Sequence, residues 1–197
     1  MPRVKTARKE RSILEAASRV FARRPFHEVL IDDIASDARI GKGTIYRYFE
    51  TKDDLYFATL LHGIDRLAET LAAAPSDESS PARRLERIAG EILAFFWDRR
   101  HIYPLLPRDE SPNGRQVEML RRREPILRLV QETIYEGIEG REFRGIDPRI
   151  GAEIFLGMVR SANLFRRETD TLSDLVTHVM SVFLNGVAVD TGNGSEA

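Results

Sequence analysis

Side chains able to contact a polyanion are concentrated in residues 42–52, which form the sequence KGTIYRYFETK. Ile45 and Phe49 are four residues apart, so they lie on one face of a helix, and we expect this face to be buried. The opposite surface then carries Lys42, Gly43, Thr44, Tyr46, Arg47 and Tyr48. Cations and hydroxyls can bind phosphate oxygens, and one or two such side chains can reach base edges in a major groove. The sequence therefore predicts a helix that contacts double-stranded DNA.

Two further short helices are predicted before this one, and a long helix after it. Apolar residues recur at helical spacing from Ile13 to Phe21 and again from Ile31 to Ala38. Helices this short are not stable alone, so the three must pack as one unit. Thr51 and Asp54 have the spacing of a capping box, which predicts that a long helix begins near Lys52.

The segment IDDIASDARIGKGTIYRYFETK resembles the DNA-binding domain of TetR/AcrR-family repressors. The resemblance covers roughly residues 9–56 and rests on Ile34-Ala35, Ala38, residues 42–46, Tyr48-Phe49, and Lys52 with Leu55. It implies DNA contacts from Lys42, Gly43, Thr44, Tyr46, Tyr48 and Lys52, and Arg47 is added from the helical geometry.

Three residues depart from the family pattern. Leu30 stands where Ser or Thr usually caps the second helix, so we expect one cap or one bond to phosphate to be missing. Arg39 replaces a common turn glycine and would be strained at positive φ. Gly41, rather than a capping Ser, precedes Lys42. These changes bear on affinity and register more than on function.

The net charge of −1 hides an asymmetry along the chain. Residues 1–60 hold 12 Lys and Arg against 9 Asp and Glu, a balance of +3, which leaves 18 against 22, or −4, for the rest. A basic end on a mildly acidic body suits DNA binding confined to one small domain. The N-terminal cations can contact DNA phosphates or a minor groove, or they can form a solvated tail; they are Arg3, Lys5, Arg8, Lys9 and Arg11.

The remaining sequence predicts further helices and no strands. The segment PSDESSP at 75–81 is a break, and helices are expected at about 82–100, from 115 onward with a kink at Pro125, at 148–166, and from a Thr171–Asp174 cap to 186. Residues 101–114 have room for only a short helical turn. The fold is predicted to be all-α with eight or nine helices. We expect a helix-turn-helix domain at 1–55, a larger helical effector-binding and dimerisation domain at 56–189, and a disordered tail at 190–197.

The family resemblance implies a small-molecule effector in the C-terminal domain, whose binding changes the spacing of the DNA-reading heads. Aromatic and methionine side chains near a proline-rich break are the candidate lining: Phe95, Phe96, Trp97, Tyr103, Met119 and Met158. The alternative is that these residues form ordinary core.

The last two predicted helices have apolar faces suited to a homodimer interface. One face contains Ile150, Ile154 and Met158 with the small Gly157 and Ser161; the other contains Leu172, Leu175, Val179 and Val182. Paired across a two-fold axis, such helices would form a four-helix bundle, as the resemblance implies. Alternatively, they complete the core of the monomer.

Other chemistries find little support. The chain has no cysteine, and its four histidines lack metal-ligand spacing, so neither a disulfide nor a metal site is expected. No nucleophile–base pairing is evident, so we expect no catalytic residues, no enzyme activity and no cofactor. Arg121, Arg122 and Arg123 are interpreted as a solvated helix face, although one could meet an anionic ligand. No apolar stretch approaches bilayer length, so a cytoplasmic protein without membrane contact is expected.

Together these features predict a regulator that binds a palindromic operator as a dimer and releases it when a mostly apolar effector binds. Repression is the expected sign of regulation. Two alternatives stay open: a helical carrier or enzyme that uses the C-terminal pocket, and a regulator that responds to a protein partner instead of a small molecule.

Overall fold

A computed structural model describes residues 2–73, 80–97 and 114–187, with side chains from residue 7 to 186 within these ranges. The all-α prediction is confirmed. The described residues form eight α-helices and one 3-10 helix: α1 (Pro2–Arg23), the 3-10 helix (Phe26–Glu28), α2 (Ile31–Asp37), α3 (Lys42–Tyr46), α4 (Lys52–Ala73), α5 (Pro81–Trp97), α6 (Gly114–Glu139), α7 (Pro148–Phe165) and α8 (Leu172–Val187).

Side-chain caps begin several of these helices at the predicted positions. Before α4, Asp54 N donates to Thr51 Oγ1 at 3.0 Å, and Thr51 N donates to Asp54 Oδ2 at 3.1 Å. Thr171 and Asp174 repeat this reciprocal arrangement before α8. Asp147 caps α7 by accepting from two backbone amides beyond Pro148. Each cap satisfies amides that the first helical turn would leave without acceptors.

The chain divides into two compact units. The N-terminal unit contains the described residues 2–66 and 114–122, and the C-terminal unit contains the described residues 67–97 and 123–187. Helices α4 and α6 contribute residues to both units. The domain boundary predicted at residue 55 stays a prediction, and the tail at 190–197 and the turn at 101–113 lie outside the described residues.

In the N-terminal unit, α1 packs against α2, and α2 against α3. Its core is formed by fully buried aliphatic side chains, among them Ile13, Ile34, Ile45 and Leu55. The helix predicted from about Ile13 is longer than expected, because α1 begins at Pro2 and includes the basic N-terminal residues.

In the C-terminal unit, α5 packs against α7 and α8, which also contact each other. Phe155 of α7 is fully buried and meets Phe183 of α8 edge-on, with ring centroids 5.1 Å apart. Helix α6 continues through Pro125 to Glu139. None of the helices among the described residues is long and apolar enough to span a membrane.

Candidate nucleic-acid interface

The predicted DNA-reading helix is short and is fixed by its buried face. Helix α3 spans only Lys42–Tyr46, and a further turn follows in which Phe49 N donates to Ile45 O at 3.0 Å. Ile45 is fully buried and Phe49 nearly so, as the four-residue spacing predicted. On the opposite surface Lys42, Gly43, Tyr46 and Arg47 are exposed, while Thr44 and Tyr48 are half-buried. The helix therefore presents the predicted polar surface outward.

Lys42 is exposed but already has an anionic partner. Its Nζ donates to Asp32 Oδ2 at 2.8 Å, and both side chains are largely solvated. The hydrogen bond to Asp32 raises the pKa of Lys42 above its usual value, so the ammonium stays charged at neutral pH. A phosphate that binds Lys42 must share or displace the Asp32 carboxylate.

Tyr46 and Gly43 are both exposed to solvent. The Tyr46 side chain is 46% exposed. A Cβ built on Gly43 would meet no atom within 4 Å, so the protein itself does not require glycine there. Beside them, the Arg47 guanidinium lies 5.5 Å from the centre of the Tyr48 ring, a cation–π distance that orients both side chains.

Lys52 is held by the protein at the start of α4. Its Nζ donates to the carbonyls of Phe26 at 2.9 Å and Val29 at 3.1 Å, and it lies 4.3 Å from the centre of the Phe26 ring. These contacts fasten α4 to the segment between α1 and α2. Lys52 therefore has a structural role that sequence reasoning missed. Its contact with DNA stays a prediction.

The three departures from the family pattern have local consequences. At the start of α2, Asp33 Oδ2 accepts from Leu30 N at 2.9 Å, but the Leu30 side chain offers no acceptor in return and is 60% exposed. Arg39 has a φ of 53°, the left-handed conformation in which a side chain is strained. Gly41 precedes α3 without a side-chain cap.

A carboxylate at the start of α4 also binds α6. Asp54 Oδ2 accepts from the Thr51 hydroxyl at 2.7 Å, while Asp54 Oδ1 accepts from Arg115 Nη2 at 2.5 Å. The hydrogen bond from Thr51, followed by the Arg115 guanidinium, lowers the pKa of Asp54 below its usual value. Arg115 also lies 5.3 Å from the Phe57 ring centre. The Asp54 side chain therefore caps α4, which follows α3, and joins α4 to α6.

The arginine run on α6 is engaged in ion pairs. In the N-terminal unit, Arg122 contacts Asp65 of α4 and also pairs with Glu118, which in turn pairs with Arg121. In the C-terminal unit, Arg123 pairs with Glu153 of α7. Sequence reasoning missed the two long-range pairs because their partners are 57 and 30 residues apart and no local spacing indicates them.

The candidate effector residues are divided between the units. In the C-terminal unit, Phe95 and Phe96 meet edge-on at 4.8 Å, and the Arg166 guanidinium lies 3.7 Å from the centre of the Trp97 ring. Phe96, Trp97 and Met158 are all half-buried. Met119 is half-buried in the N-terminal unit, and Tyr103 lies outside the described residues.

The candidate dimer face is partly core and partly exposed. Leu175 and Val179 are buried within the C-terminal unit, in agreement with the alternative of monomer core. By contrast, a stripe along α7 at helical spacing is exposed, and Val182 of α8 is 65% exposed. The α7 stripe consists of Ile150, Ile154, Gly157, Ser161 and Phe165. Among the described residues, no group of three or more His, Asp or Glu side chains could hold a metal ion.

Residues 13–59 match the family model of bacterial regulatory proteins of the tetR family. The fatty acid metabolism regulator protein of Bacillus subtilis is 23% identical over 184 residues, which cover 89% of this chain and 93% of the relative. The structure of the regulator FadR from Bacillus subtilis with stearoyl-CoA matches with a TM-score of 0.70 at 19% identity, covering 89% of this chain and 97% of that one. A transcriptional regulator from Saccharomonospora viridis with choline gives 0.72 at 20%, covering 93% and 99%.

Residues 13–59 therefore form a helix-turn-helix domain of the TetR family of bacterial transcription regulators, and the chain has a TetR-like fold. The match covers the second half of α1, all of α2 and α3, and the start of α4. The structural likenesses, at about one-fifth identity, extend the shared fold to the remaining helices. Since the family consists of transcription regulators, the expectation of a protein without catalytic activity is confirmed.

Asp54 and Asp174 offer a matched test of the link between α4 and α6. Both carboxylates complete a Thr–Asp capping box and have a lowered pKa, but in the described structure only Asp54 binds an α6 arginine. We expect Asp174→Asn to lower the melting temperature at pH 7 by about 3 °C through loss of the cap, and Asp54→Asn to lower it further because it also loses the bond to Arg115. Each of these carboxyl groups has a lower pKa in the folded state than in the unfolded state, where it is about 3.9, so its ionisation stabilises the fold above that pH. This stabilisation is lost as the pH falls through the pKa of the folded state. The deficits should therefore shrink towards pH 3.

Calorimetry from pH 7 to pH 3 measures these deficits. Adding Arg115→Gln separates the link from the cap, because it should destabilise the wild type and have less effect in the Asp54→Asn background. Equal effects of Arg115→Gln in both backgrounds would show that the link contributes nothing to stability.

Proposed function

We propose that this protein is a repressor that binds a palindromic operator as a homodimer and releases it when an acyl thioester of coenzyme A binds the C-terminal unit. The observation that carries the DNA-binding part is the surface of α3, where a buried Ile45 leaves exposed cations, a phenol and a glycine outward. The action would take place in the cytoplasm, where the DNA is.

Direct reading of bases is assigned to Thr44, Tyr46 and Arg47, with Tyr48 and Lys42 on phosphates. A duplex major groove accepts one helix face, and the open space around Gly43 allows the backbone to approach DNA closely. Lys52 is placed at the edge of this interface, where one ammonium hydrogen remains for a phosphate after its two carbonyl bonds.

Homodimerisation is assigned to the exposed stripe of α7 together with Val182 of α8. Ile154 is 54% exposed and Phe165 is 78% exposed, and an apolar stripe of this kind is stabilised by burial against a second copy. Gly157 has open space around it, which permits close approach of two helices. Two linked DNA-binding domains also bind DNA more tightly and more specifically than one.

The contact of Arg166 with the Trp97 ring favours an acyl thioester over a quaternary ammonium ion as the effector. Aromatic faces bind ammonium ligands through cation–π contacts, but the Arg166 guanidinium already lies over the Trp97 ring at 3.7 Å. Phe95 and Phe96 provide apolar surface beside it for an acyl chain. A related structure holds stearoyl-CoA, and another holds choline, so both chemistries have precedent on this fold.

The DNA-reading surface is tested by Gly43→Ala and Tyr46→Ala. Fragments selected from genomic DNA by the wild-type protein are titrated with each variant. We expect both substitutions to weaken binding by about tenfold or more, because a methyl at Gly43 would meet the DNA and the phenol of Tyr46 would no longer reach it. Neither should lower the melting temperature, since the Cβ of Gly43 has open space and Tyr46 is exposed.

Gly114→Ala is the control for the glycine change, since Gly114 also has open space but begins α6. If Gly43→Ala binds the selected fragments as tightly as Gly114→Ala, α3 is not the DNA-reading helix. If the wild-type protein enriches no fragment, even after refolding without bound ligand, the proposed function is wrong.

The dimer interface is tested by Ile154→Arg. A two-fold axis would bring one arginine from each protomer into the apolar interface, where the two like charges repel each other. We expect the affinity of the dimer to fall by about 100-fold or more. Sedimentation velocity measures the change. Tyr135→Arg is the control, because Tyr135 is equally exposed at 55% but lies on α6. A dimer that survives Ile154→Arg and dissociates with Tyr135→Arg would place the interface elsewhere.

The effector class is tested by DNA release. Stearoyl-CoA, isovaleryl-CoA, free coenzyme A and choline are added to the protein–operator complex while fluorescence anisotropy is followed. We expect an acyl-CoA to release DNA and to raise the melting temperature of the free protein, because only a ligand that prefers the released conformation can shift the equilibrium. Release by choline alone would reverse the assignment.

A further inference from the structure

We propose that a basic groove between α1 and the turn before α3 is a second DNA site, which binds a backbone phosphate next to the major groove that α3 reads. This inference rests on the proposed DNA-binding function. The groove is open to solvent, is lined by Arg8, Lys9, Ser12 and Ile13 of α1 and by Ile40, and has a volume of about 230 Å³. Pockets for drug-sized molecules usually have about 300–1,000 Å³, so the groove suits one sugar–phosphate unit better than an effector.

The lining of the groove fits a phosphodiester. Ile13 is fully buried and forms an apolar floor, while Arg8, Lys9 and Ser12 are exposed around it. Arg8 and Ser12 are four residues apart and therefore share a face of α1. A guanidinium, an ammonium and a hydroxyl together are donors of the kind that bind phosphate oxygens in protein–DNA complexes.

The cations of the groove are free to bind an anion. Arg8 and Lys9 form no ion pair with any residue in the described ranges, and the same holds for Arg39 beside Ile40. Arg11, one turn further along α1, differs because its guanidinium pairs with Glu15 at 3.1 Å. Glu10 is the acidic residue of α1 nearest to the pair in sequence, and it is exposed.

The carboxylates of α2 do not cancel this positive charge, because each is neutralised locally. Asp37 binds Arg19 at 2.6 Å, Asp33 binds Arg24 at 3.0 Å, and Asp32 binds Lys42 at 2.8 Å. The aspartates of α2 are therefore paired, whereas Arg8, Lys9 and Arg39 form no ion pair among the described residues. A polyanion meets net attraction at the groove.

The position of the groove points to DNA as the occupant. Ile40 is two residues before the first residue of α3, so a duplex in contact with α3 brings its nearest backbone close to this turn. Arg8, Lys9 and Ser12 precede the residues that match the family model, which begin at 13. The long α1, which begins at Pro2, places these residues on a helix instead of a free tail.

The experiment measures the salt dependence of DNA binding by full-length Arg8→Gln/Lys9→Gln. Each phosphate that the protein no longer neutralises should make the slope of log K against log salt shallower by about 0.9. We expect a decrease of about 0.9 for each protomer, since each groove binds one phosphate. Affinity should fall equally for operator and for random duplex, because backbone contacts carry no sequence information. Arg8→Lys/Lys9→Arg should retain the wild-type slope.

Arg11→Gln is the matched control, since it removes one α1 charge that is paired with Glu15. An unchanged slope in the double variant, or an equal change per charge in Arg11→Gln, would overturn the groove assignment. Melting temperatures verify that the exposed substitutions leave the fold intact. Phosphate ethylation interference gives an independent readout, in which the double variant should lose sensitivity at one phosphate position per half-site.

The two hypotheses fail in different ways. If wild-type protein binds selected fragments and Gly43→Ala abolishes binding, but the double variant keeps the full slope and interference pattern, only the groove site is wrong. If wild-type protein selects no DNA, both are wrong.

Discussion

Helix α3, the predicted DNA-reading helix, has five residues and cannot maintain its own conformation, because a single helical turn fixes many dihedral angles for few hydrogen bonds. Its position depends on the complete burial of Ile45 in the core that contains Ile34 and Leu55. The chain that leaves it is fastened twice, by the carbonyl bonds of Lys52 and by the cap of Asp54. Every outward contact of α3 relies on this buried side chain and these two polar anchors.

In the N-terminal unit, ion pairing rather than the number of cations decides which positive charges can bind an anion. The aspartates of α2 each bind a cation from outside α2, whereas Arg8, Lys9, Arg39 and Arg47 have no ion-pair partner among the described residues. Lys42, the cation most clearly indicated by the family pattern, shares its charge with Asp32. Binding of a polyanion would therefore begin at the unpaired cations and rearrange the pair at Lys42.

The C-terminal unit combines a tightly packed interior with a solvent-exposed apolar stripe. Phe155 and Phe183 join α7 to α8 inside, while Ile150, Ile154 and Phe165 face outward from α7. A monomer does not need such a stripe for its own stability, whereas a second copy would bury it. The Arg166 guanidinium lies over the Trp97 ring and occupies the aromatic surface that a cationic effector would need.

The sequence by itself determined the helical class, the caps at Thr51 and Thr171, and the inward–outward division of α3, because these follow from residue types three or four positions apart. The sequence did not show that Leu175 and Val179 are buried while Ile154 is exposed, since burial depends on which helices pack together. The Arg115–Asp54 and Arg166–Trp97 contacts join residues 61 and 69 positions apart. Only the tertiary structure decided them, because no local periodicity encodes which distant side chains the packing of helices brings together.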